Sequence, residues 1–278
     1  MGMMRERGLP KIVFSDVDGT LVDADHHPMA SSAPAFRLLA ERGVPFCLVS
    51  ARSPEGLYPI QEALGFSGPT VSYSGAYVLD GDGTELLSKP IALDEALRIK
   101  DYLDERLPKV CVFTYGFHTW IVNDRSDPRV AEEEYYVLAQ ARECRSLREA
   151  FDERGVHKFL LMGEPADIAE AQDIVHARFP KLNAVLSRPE LCEIMRGDVS
   201  KSDAVRLLCS HVGVDPKDAL AFGDGANDLD MLEAVGQSYA MRNGIDEVRR
   251  AATHVTRWTN VEDGVARTLE EIFSPRVR

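Results

Sequence analysis

Short apolar runs alternate with amphipathic stretches in the first part of the chain. Residues 11–15 and 44–49 are rich in β-branched and aromatic side chains, which predicts two buried strands. The stretch 33–42 between them has its apolar residues at helical spacing. Strand, helix and strand within about thirty-five residues indicate a parallel βαβ unit. A third apolar run, 70–73, follows another helix-like stretch and continues this pattern.

The pattern changes after residue 81, where adjacent strands are interleaved with longer helices. The predicted elements are strand 85–91, helix 94–107, strands 110–115 and 119–123, helix 128–148, strand 156–162, helix 165–179, and strands 182–186 and 192–195. Such a mixture predicts an α+β unit inserted into the first one. We therefore expect a discontinuous core of residues 1–81 and 189–278 and an inserted domain of residues 82–188.

After residue 197 the alternation of strands and helices returns. The predicted elements are a helix opened by Ser200, strand 219–222, helix 229–235, strand 238–241 and helix 261–273. The expected fold class is α/β, a Rossmann-like parallel sheet that carries an α+β insertion.

The charge balance of the chain argues against two classes of function. The chain has 278 residues with 32 Lys and Arg against 45 Asp and Glu, a formal net charge of −13. This excess of carboxylates argues against nucleic-acid binding and against docking on an anionic membrane. No apolar run approaches the ~20 residues that span a bilayer, and residues 1–10 contain no hydrophobic stretch of signal-peptide length. Five scattered cysteines without paired spacing indicate buried thiols in a reducing compartment, so we expect a cytoplasmic protein.

Two carboxylates follow the first predicted strand directly. Asp16 and Asp18 would repel each other there unless a cation neutralised them, and Mg²⁺ is the usual ion for carboxylate and carbonyl oxygens. A neutralised carboxylate can attack phosphorus, and its neighbour can act as a general acid and then a base. The alternative is an ordinary strand-end turn, because Asp-Gly is common turn chemistry.

A second acidic loop follows the strand at 219–222. Its sequence, 223–228, contributes Asp224, which could complete a metal shell, and Asp228, which could orient it or bind the ion directly. Asp228 is equally suitable as the N-cap of the next helix. Parallel strands present their carboxyl ends at one edge, so both loops would point carboxylates into the same crevice.

Two further residues offer contacts for an anion. Ser50 ends the second predicted strand and presents a hydroxyl, although a helix cap explains it as well. Lys201 lies in the first turn of a predicted helix, where the helix dipole disfavours a cation unless an anionic partner is present. A solvated surface lysine is the alternative.

These pieces, taken in order, resemble the four motifs of the haloacid dehalogenase-like superfamily. The motifs are Asp16-x-Asp18-Gly19-Thr20-Leu21, Ser50, Lys201 and Gly223-Asp224-x-x-Asn227-Asp228. The long insertion is similar in layout to the C2-type cap of the Cof-type phosphatases. Two later segments, Ala240-Met241-x-Asn243 and Asn260-x-Glu262-Asp263-Gly264-Val265, also match that group.

The resemblance implies a role for each of these residues. Asp16 would be the nucleophile and Asp18 the acid and base, while Ser50 and Lys201 would bind the transferring phosphoryl group. Asn227 would help to bind phosphate. The side chains of Asp16 and Asp224 and the backbone carbonyl of Asp18 would hold Mg²⁺, with Asp228 supporting or binding the ion.

The resemblance also implies a Mg²⁺-dependent hydrolase of a small phosphorylated metabolite, present as a monomer or a small homo-oligomer. A sugar-phosphate mutase of the same superfamily and a non-catalytic metabolite-binding regulator are the alternatives. The cap would close over the substrate and exclude water.

Three other groups of residues have more ordinary interpretations. His26 and His27 are adjacent and without nearby partners, which favours a polar loop over a metal site. Tyr115, His118 and Trp120 are expected on the surface of a hairpin or in the core of the cap. Residues 132–134, three consecutive glutamates, are expected on a solvated helix face.

Overall fold

The computed structural model describes residues 8–274, which form two sheets with helices packed against them. Residues 1–7, part of the N-terminal stretch considered for a signal peptide, lie outside the described range. No helix within 8–274 combines the length and the apolar character needed to cross a membrane.

The first part of the chain alternates strands and helices and then adds a meander of short strands. Its elements are β1 (Ile12–Ser15), α1 (Ala33–Glu41), β2 (Phe46–Val49), α2 (Pro54–Leu64), β3 (Thr70–Ser72), β4 (Tyr77–Leu79) and β5 (Glu85–Ser88). All residues of β1 and β2 are buried, as expected for strands covered on both faces. The helix α2 begins after Ser53, whose hydroxyl accepts a hydrogen bond from the Gly56 amide.

The middle of the chain forms a second unit of strands and helices. Its elements are α3 (Leu93–Arg106), β6 (Cys111–Gly116), β7 (Thr119–Val122), α4 (Pro128–Val137), β8 (Arg142–Glu143), α5 (Leu147–Ala150), β9 (Lys158–Met162), α6 (Pro165–Arg178), β10 (Leu182–Arg188) and β11 (Leu191–Arg196).

The last part returns to alternating helices and strands. Its elements are α7 (Lys201–His211), β12 (Ala219–Gly223), α8 (Leu229–Ala234), β13 (Gln237–Ala240), α9 (Asp246–Ala251), β14 (His254–Val255) and α10 (Gly264–Phe273).

The strand order shows how these parts combine. Among the described residues, eight strands form one sheet in the order β14-β13-β12-β1-β2-β3-β4-β5, parallel from β14 to β3 and antiparallel from β3 to β5. Six strands form the other sheet in the order β10-β11-β9-β6-β7-β8. We call the part built on the first sheet the core (residues 8–88 and 198–274) and the part built on the second the cap (residues 89–197). The α/β fold class is confirmed.

The expected boundaries at residues 82 and 188 differ from the sheet membership at both ends. Strand β5, expected in the insertion, pairs with β4 in the core sheet. Strand β11, expected in the core, pairs with β10 and β9 in the cap sheet. A boundary drawn from composition does not take backbone pairing into account. The pairing places each border up to about ten residues further along the chain than predicted. The division into two domains stays a prediction.

The predicted helix 128–148 is wrong beyond Val137. Leu138 adopts a left-handed backbone conformation, with φ of 57°, and ends α4. The carboxylate of Glu134 accepts a hydrogen bond from the amide of Ala141, and Arg142–Glu143 then pairs with β7 as a strand. Helix-favouring residues in this segment are thus overridden by tertiary contacts, because helix propensity is worth under about 1 kcal/mol per residue.

Apolar side chains pack in layers that fix where the cap sits on the core. The helices α1, α2 and α10 cover one face of the core sheet and α7, α8 and α9 the other. Helices α3 and α6 cover one face of the cap sheet. The other face of the cap sheet shares a cluster with Tyr73 and Tyr77 of the core. This apolar contact holds the cap over the carboxyl ends of the central core strands.

Candidate active site

Three neighbouring parallel strands of the core end side by side. Ser15 of β1 lies opposite Phe222 of β12 and opposite Leu48 of β2. The residues that follow, Asp16, Ser50 and Asp224, therefore meet at one edge of the sheet, where open parallel sheets bind ligands.

The loop after β1 folds back on itself and is held by the loops around it. Gly19 has a φ of +79°, and a Cβ atom at this position would lie 2.4 Å from Oδ2 of Asp224. Only glycine fits such a conformation and such a close approach. The Asn243 amide donates to the Gly19 carbonyl at 2.7 Å, and the Asn260 amide donates to the Val22 carbonyl at 2.9 Å. Two asparagines far along the chain thereby hold the first loop in place.

Three carboxylates share the floor of the site. Asp16, Asp224 and Asp228 each offer an oxygen atom, and these oxygens lie within 4.8 Å of one another. Asp228 is fully buried, and its Oδ2 accepts the backbone amides of Asp224 and Gly225 at 2.9 and 3.0 Å. Oδ1 of Asp224 accepts a hydrogen bond from the Thr20 hydroxyl at 2.8 Å. The loop geometry thus aims both acidic residues of the 223–228 segment at Asp16.

Lys201 joins two of these carboxylates. Ser200 caps α7 by accepting the amide of Asp203, which places Lys201 in the first turn. Its ammonium lies 2.6 Å from Oδ1 of Asp16 and 2.6 Å from Oδ1 of Asp228, and its side chain is 1% exposed. Burial lowers the pKa of Lys201, but the two carboxylates outweigh burial and hold that pKa above its usual range.

The carboxylates carry more negative charge than Lys201 compensates. Burial and the charge of Asp228 raise the pKa of Asp16 well above its usual value, although Lys201 opposes them. Burial raises the pKa of Asp224 to about 6. Among the described residues, Oδ2 of Asp16 and Oδ2 of Asp224 accept no hydrogen bond. A hard divalent cation such as Mg²⁺ fits this all-oxygen donor set and would relieve its excess charge.

Asp18 is held by the side chains of Arg52 and His26 on the other side of the loop. Nε and Nη2 of Arg52 donate to its two carboxylate oxygens at 3.0 and 2.6 Å, and Nδ1 of His26 lies 2.6 Å from Oδ1. Burial raises the pKa of Asp18, but the hydrogen bonds from His26 and Arg52 outweigh burial and hold that pKa well below its usual range. Asp18 is therefore a carboxylate in this arrangement.

The remaining predicted residues complete the core side of the site. The Ser50 hydroxyl accepts the Arg52 amide at 3.1 Å, which leaves its own proton free to donate. Ser50 is 1% exposed and lines a cavity of about 260 Å³ between the core and the cap. Asn227, which is exposed, lines the same cavity.

The cap supplies the opposite wall of this cavity. Tyr115 of β6 donates its hydroxyl to Oε1 of Glu133 on α4 at 3.0 Å. Lys158 of β9 reaches across to the core and donates to the Ala51 carbonyl at 2.8 Å, and it also lies 3.3 Å from Oε2 of Glu193 on β11. These four residues all line the cavity.

The structure therefore brings together all seven residues that sequence reasoning singled out for the site, namely Asp16, Asp18, Ser50, Lys201, Asp224, Asn227 and Asp228. The roles implied for them stay predictions. Sequence reasoning missed Arg52 and His26 as partners of Asp18. The only available signal was that Arg52 lies two residues after Ser50.

One of the ordinary interpretations is wrong, and that of Tyr115 and Trp120 as buried cap residues is confirmed. Glu133 is 7% exposed, whereas a solvated face was expected for residues 132–134. It turns inward because the tyrosine hydroxyl of Tyr115 and the nearby Lys158 provide a buried partner and a counter-charge. Tyr115 packs flat against Trp120 in the cap and also faces the cavity, while His118 lies 2.7 Å from Glu55 of the core.

The chain is similar to known proteins over nearly its whole length. A family model described as haloacid dehalogenase-like hydrolase matches residues 13–269. A Haemophilus influenzae protein that bears a provisional phosphatase name is 35% identical over 272 residues, covering 95% of this chain and 98% of that protein. The Bacillus subtilis protein YitU, a 5-amino-6-(5-phospho-D-ribitylamino)uracil phosphatase, is 26% identical over 279 residues, covering 95% and 98%.

Solved structures show the same fold. A haloacid dehalogenase-like hydrolase from Bacteroides thetaiotaomicron superposes with a TM-score of 0.86 at 25% identity, covering 95% of this chain and 99% of that one. The Thermotoga maritima protein TM0651 superposes with a TM-score of 0.84 at 25% identity, covering 95% and 97%.

Proposed function

Because the chain belongs to the haloacid dehalogenase-like hydrolase family and is an enzyme of its phosphatase type, we propose that it hydrolyses a small phosphorylated metabolite with Mg²⁺. The substrate class is a sugar phosphate or a similar ester, and the reaction passes through a phosphorylated Asp16. The observation that carries this proposal is the buried Lys201 ammonium, 2.6 Å from both Asp16 and Asp228, beside the free oxygens of Asp16 and Asp224.

The first step transfers the phosphoryl group to the protein. A carboxylate oxygen of Asp16 forms a bond to phosphorus while the bond from phosphorus to the leaving-group oxygen breaks, and Asp18 gives that oxygen a proton. Ser50 and Asn227 donate hydrogen bonds to the phosphoryl oxygens, and Lys201 offsets the charge on Asp16. Mg²⁺, when held by Asp16, Asp224 and the Asp18 carbonyl with Asp228 in support, would neutralise charge on the phosphoryl oxygens.

The second step restores the enzyme. A water molecule attacks phosphorus, its proton passes to Asp18, and the bond from phosphorus to Asp16 breaks to release inorganic phosphate. Asp18 is charged in its contacts with Arg52 and His26, which is the form that this step uses. Its use as an acid in the first step requires those contacts to loosen.

A sugar-phosphate mutase and a non-catalytic regulator remain the alternatives to be tested. A regulator built on this fold would need no nucleophile, cation or metal carboxylates, yet all of them are present and in contact. A mutase would need the same first step, so only the products distinguish it from a phosphatase.

Hydrolysis of p-nitrophenyl phosphate with Mg²⁺ and with EDTA tests the proposal. We expect turnover only with the metal, and a loss of at least about a thousandfold in Asp16→Asn, which keeps the shape of the side chain but removes the nucleophile. Asp25→Asn on the same loop is the matched control, because Asp25 is exposed and outside the cavity wall. Turnover that is unaffected by Asp16→Asn would refute the proposal, and isomerised product without free phosphate would identify a mutase.

A further inference from the structure

The cap wall of the cavity carries ionisable side chains that the proposed chemistry does not use. Glu133 and Lys158 are 7% and 5% exposed, and they come from a helix and a strand that are separate in the chain. Buried charges are rare in proteins unless they are paired or bind a ligand. The partners of each group in this wall therefore indicate what else it can bind.

Most of the charges in the wall are already paired within the protein. Lys158 lies beside Glu193 and donates to the Ala51 carbonyl, and Arg52 forms a fork with Asp18. The exposed Arg188 lies 4.0 Å from Glu190. Each of these three cations therefore already has a carboxylate neighbour among the described residues.

Two polar atoms in the wall remain without partners. Nη1 of Arg52 makes no hydrogen bond within residues 8–274, although it is buried and the Arg52 side chain as a whole is only 4% exposed to solvent. Oε2 of Glu133 also accepts no hydrogen bond from the described residues, because the Tyr115 hydroxyl is bonded to Oε1. Arg52 and Glu133 both line the cavity, so the free donor and the free acceptor belong to walls of the same ligand space.

We propose that Glu133 and Arg52 bind hydroxyl groups of the leaving group, so that the enzyme selects neutral, hydroxylated phosphate esters over esters with an anionic leaving group. A hydroxyl group both donates and accepts, so hydroxyls of one leaving group can donate to the free oxygen of Glu133 and accept from the free N–H of Arg52. A leaving group with a carboxylate would instead meet the carboxylates of Glu133 and Glu193. This inference rests on the proposed phosphatase function and adds the residues that determine its specificity.

A purely apolar leaving group is disfavoured for a related reason. It would cover the free oxygen of Glu133 without bonding to it, and a buried polar group left unpaired costs about 1–3 kcal/mol. Leu160 and Leu191, which also line the cavity, can pack against the carbon chain of a polyol. The wall therefore combines apolar contact with a few polar contacts, as small-molecule sites usually do.

A matched pair of substrates tests this specificity. Sorbitol 6-phosphate and 6-phosphogluconate have the same carbon chain, but the second carries a carboxylate at the far end. We expect the wild-type kcat/KM to be at least about tenfold higher for sorbitol 6-phosphate, as a single like-charge contact in a partly dry cavity produces. In Glu133→Gln this ratio should fall at least about fivefold, mainly through KM, because the carboxylate charge is lost while Oε1 can still accept the Tyr115 hydroxyl.

Glu132→Gln is the control, because Glu132 neighbours Glu133 but is exposed outside this cavity. Glu193→Gln provides a second, independent variant with the same expected direction. An equal wild-type preference for the two esters, or a ratio that is unchanged in both Gln variants, would overturn the inference. Titration of both esters into Asp16→Asn protein measures their affinities, and the ratio of these affinities should show the same preference. Failure of all hydrolysis would refute the phosphatase function, whereas these affinities would still decide the specificity.

Discussion

Replacing Lys201 with methionine tests whether this residue compensates the buried carboxylates. Lys201→Met keeps an unbranched side chain of similar length in the first turn of α7 and removes only the ammonium group. Asp16 and Asp228 would then lose the cation that lies 2.6 Å from an oxygen of each. Both side chains are largely buried, at 8% and 1% exposure, so water compensates little for the lost ion pair.

The expected cost follows from this burial. Removing one partner of a buried ion pair leaves an uncompensated charge and destabilises proteins by about 3–5 kcal/mol. Total stabilities are only about 5–15 kcal/mol, so the loss would be a large part of the free energy of unfolding. Activity should also be lost, because Lys201 is proposed to neutralise charge during phosphoryl transfer.

Urea unfolding followed by circular dichroism at pH 7.5 in EDTA measures this free energy. The matched control is Lys181→Met, because Lys181 is exposed and its ammonium forms no ion pair with a described residue. The control should remain within about 0.5 kcal/mol of the wild type.

The dependence on pH gives a second, sharper readout. The pKa of Asp16 is raised in the folded state even with Lys201 present, so a folded protein without this lysine should take up a proton more readily still. A carboxyl group whose folded pKa is raised destabilises the fold in its charged form, so stability is lost as the pH rises through that folded pKa. The deficit of Lys201→Met should therefore shrink as the pH is lowered from 7.5 towards 5. A deficit under about 1 kcal/mol, or one that does not change with pH, would refute this account of Lys201.

Two further predictions concern the proposed metal site and a buried histidine. For Asp224→Asn we expect greater stability than the wild type in EDTA at pH 7.5, no thermal stabilisation by Mg²⁺ and no activity. The Thr20 hydroxyl can still donate to the amide oxygen of this variant. Burial raises the pKa of Asp224 to about 6, so the charge of Asp224 destabilises the metal-free fold as the pH rises through 6. Melting curves of the variant and the wild type, with and without Mg²⁺, measure these differences in stability. For His157, burial and the charge of Arg154 lower the pKa from 6.5 to about 3, so this residue should reduce stability by up to about 1.4 kcal/mol per pH unit below pH 6.5. In His157→Gln this contribution should be absent, so the variant should lose less stability than the wild type when urea unfolding is repeated from pH 7.5 to 4.5.

The core of the site could be predicted because its chemistry lies in short loops at strand ends. Asp16 and Asp18 are close in the chain, and Asp224 and Asp228 share one loop. Parallel pairing of β1 with β2 and β12 is sufficient to bring these loops together, since neighbouring parallel strands end at the same edge. An apolar run followed by carboxylates thus determines both the element and the position of its functional side chains.

The elements that were missed lack such a local signal. Strand β4 has three residues, β14 has two and α9 has six, which is too short for any periodicity to stand out. The end of α4 depends on a hydrogen bond between Glu134 and the amide of Ala141, a contact that exists only after the chain has turned. These features follow from tertiary contacts, so a pattern of hydrophobic and polar residues does not contain them.

The contrast between the two walls of the cavity has a physical cause. On the core side, phosphoryl transfer requires a nucleophile, a cation and metal carboxylates, and their residue types and spacing are recognisable in any sequence. On the cap side, Tyr115, Glu133, Lys158 and Glu193 come from four different elements, and Glu133 belongs to a run of three glutamates that looks fully solvated. Only the packing of α4 against the cap sheet turns the middle glutamate inward, next to the Tyr115 hydroxyl. If the proposed specificity holds, the choice of leaving group depends on how the cap folds, and we expect that a substitution in α4 or β11 can change the substrate without altering any residue proposed for phosphoryl transfer.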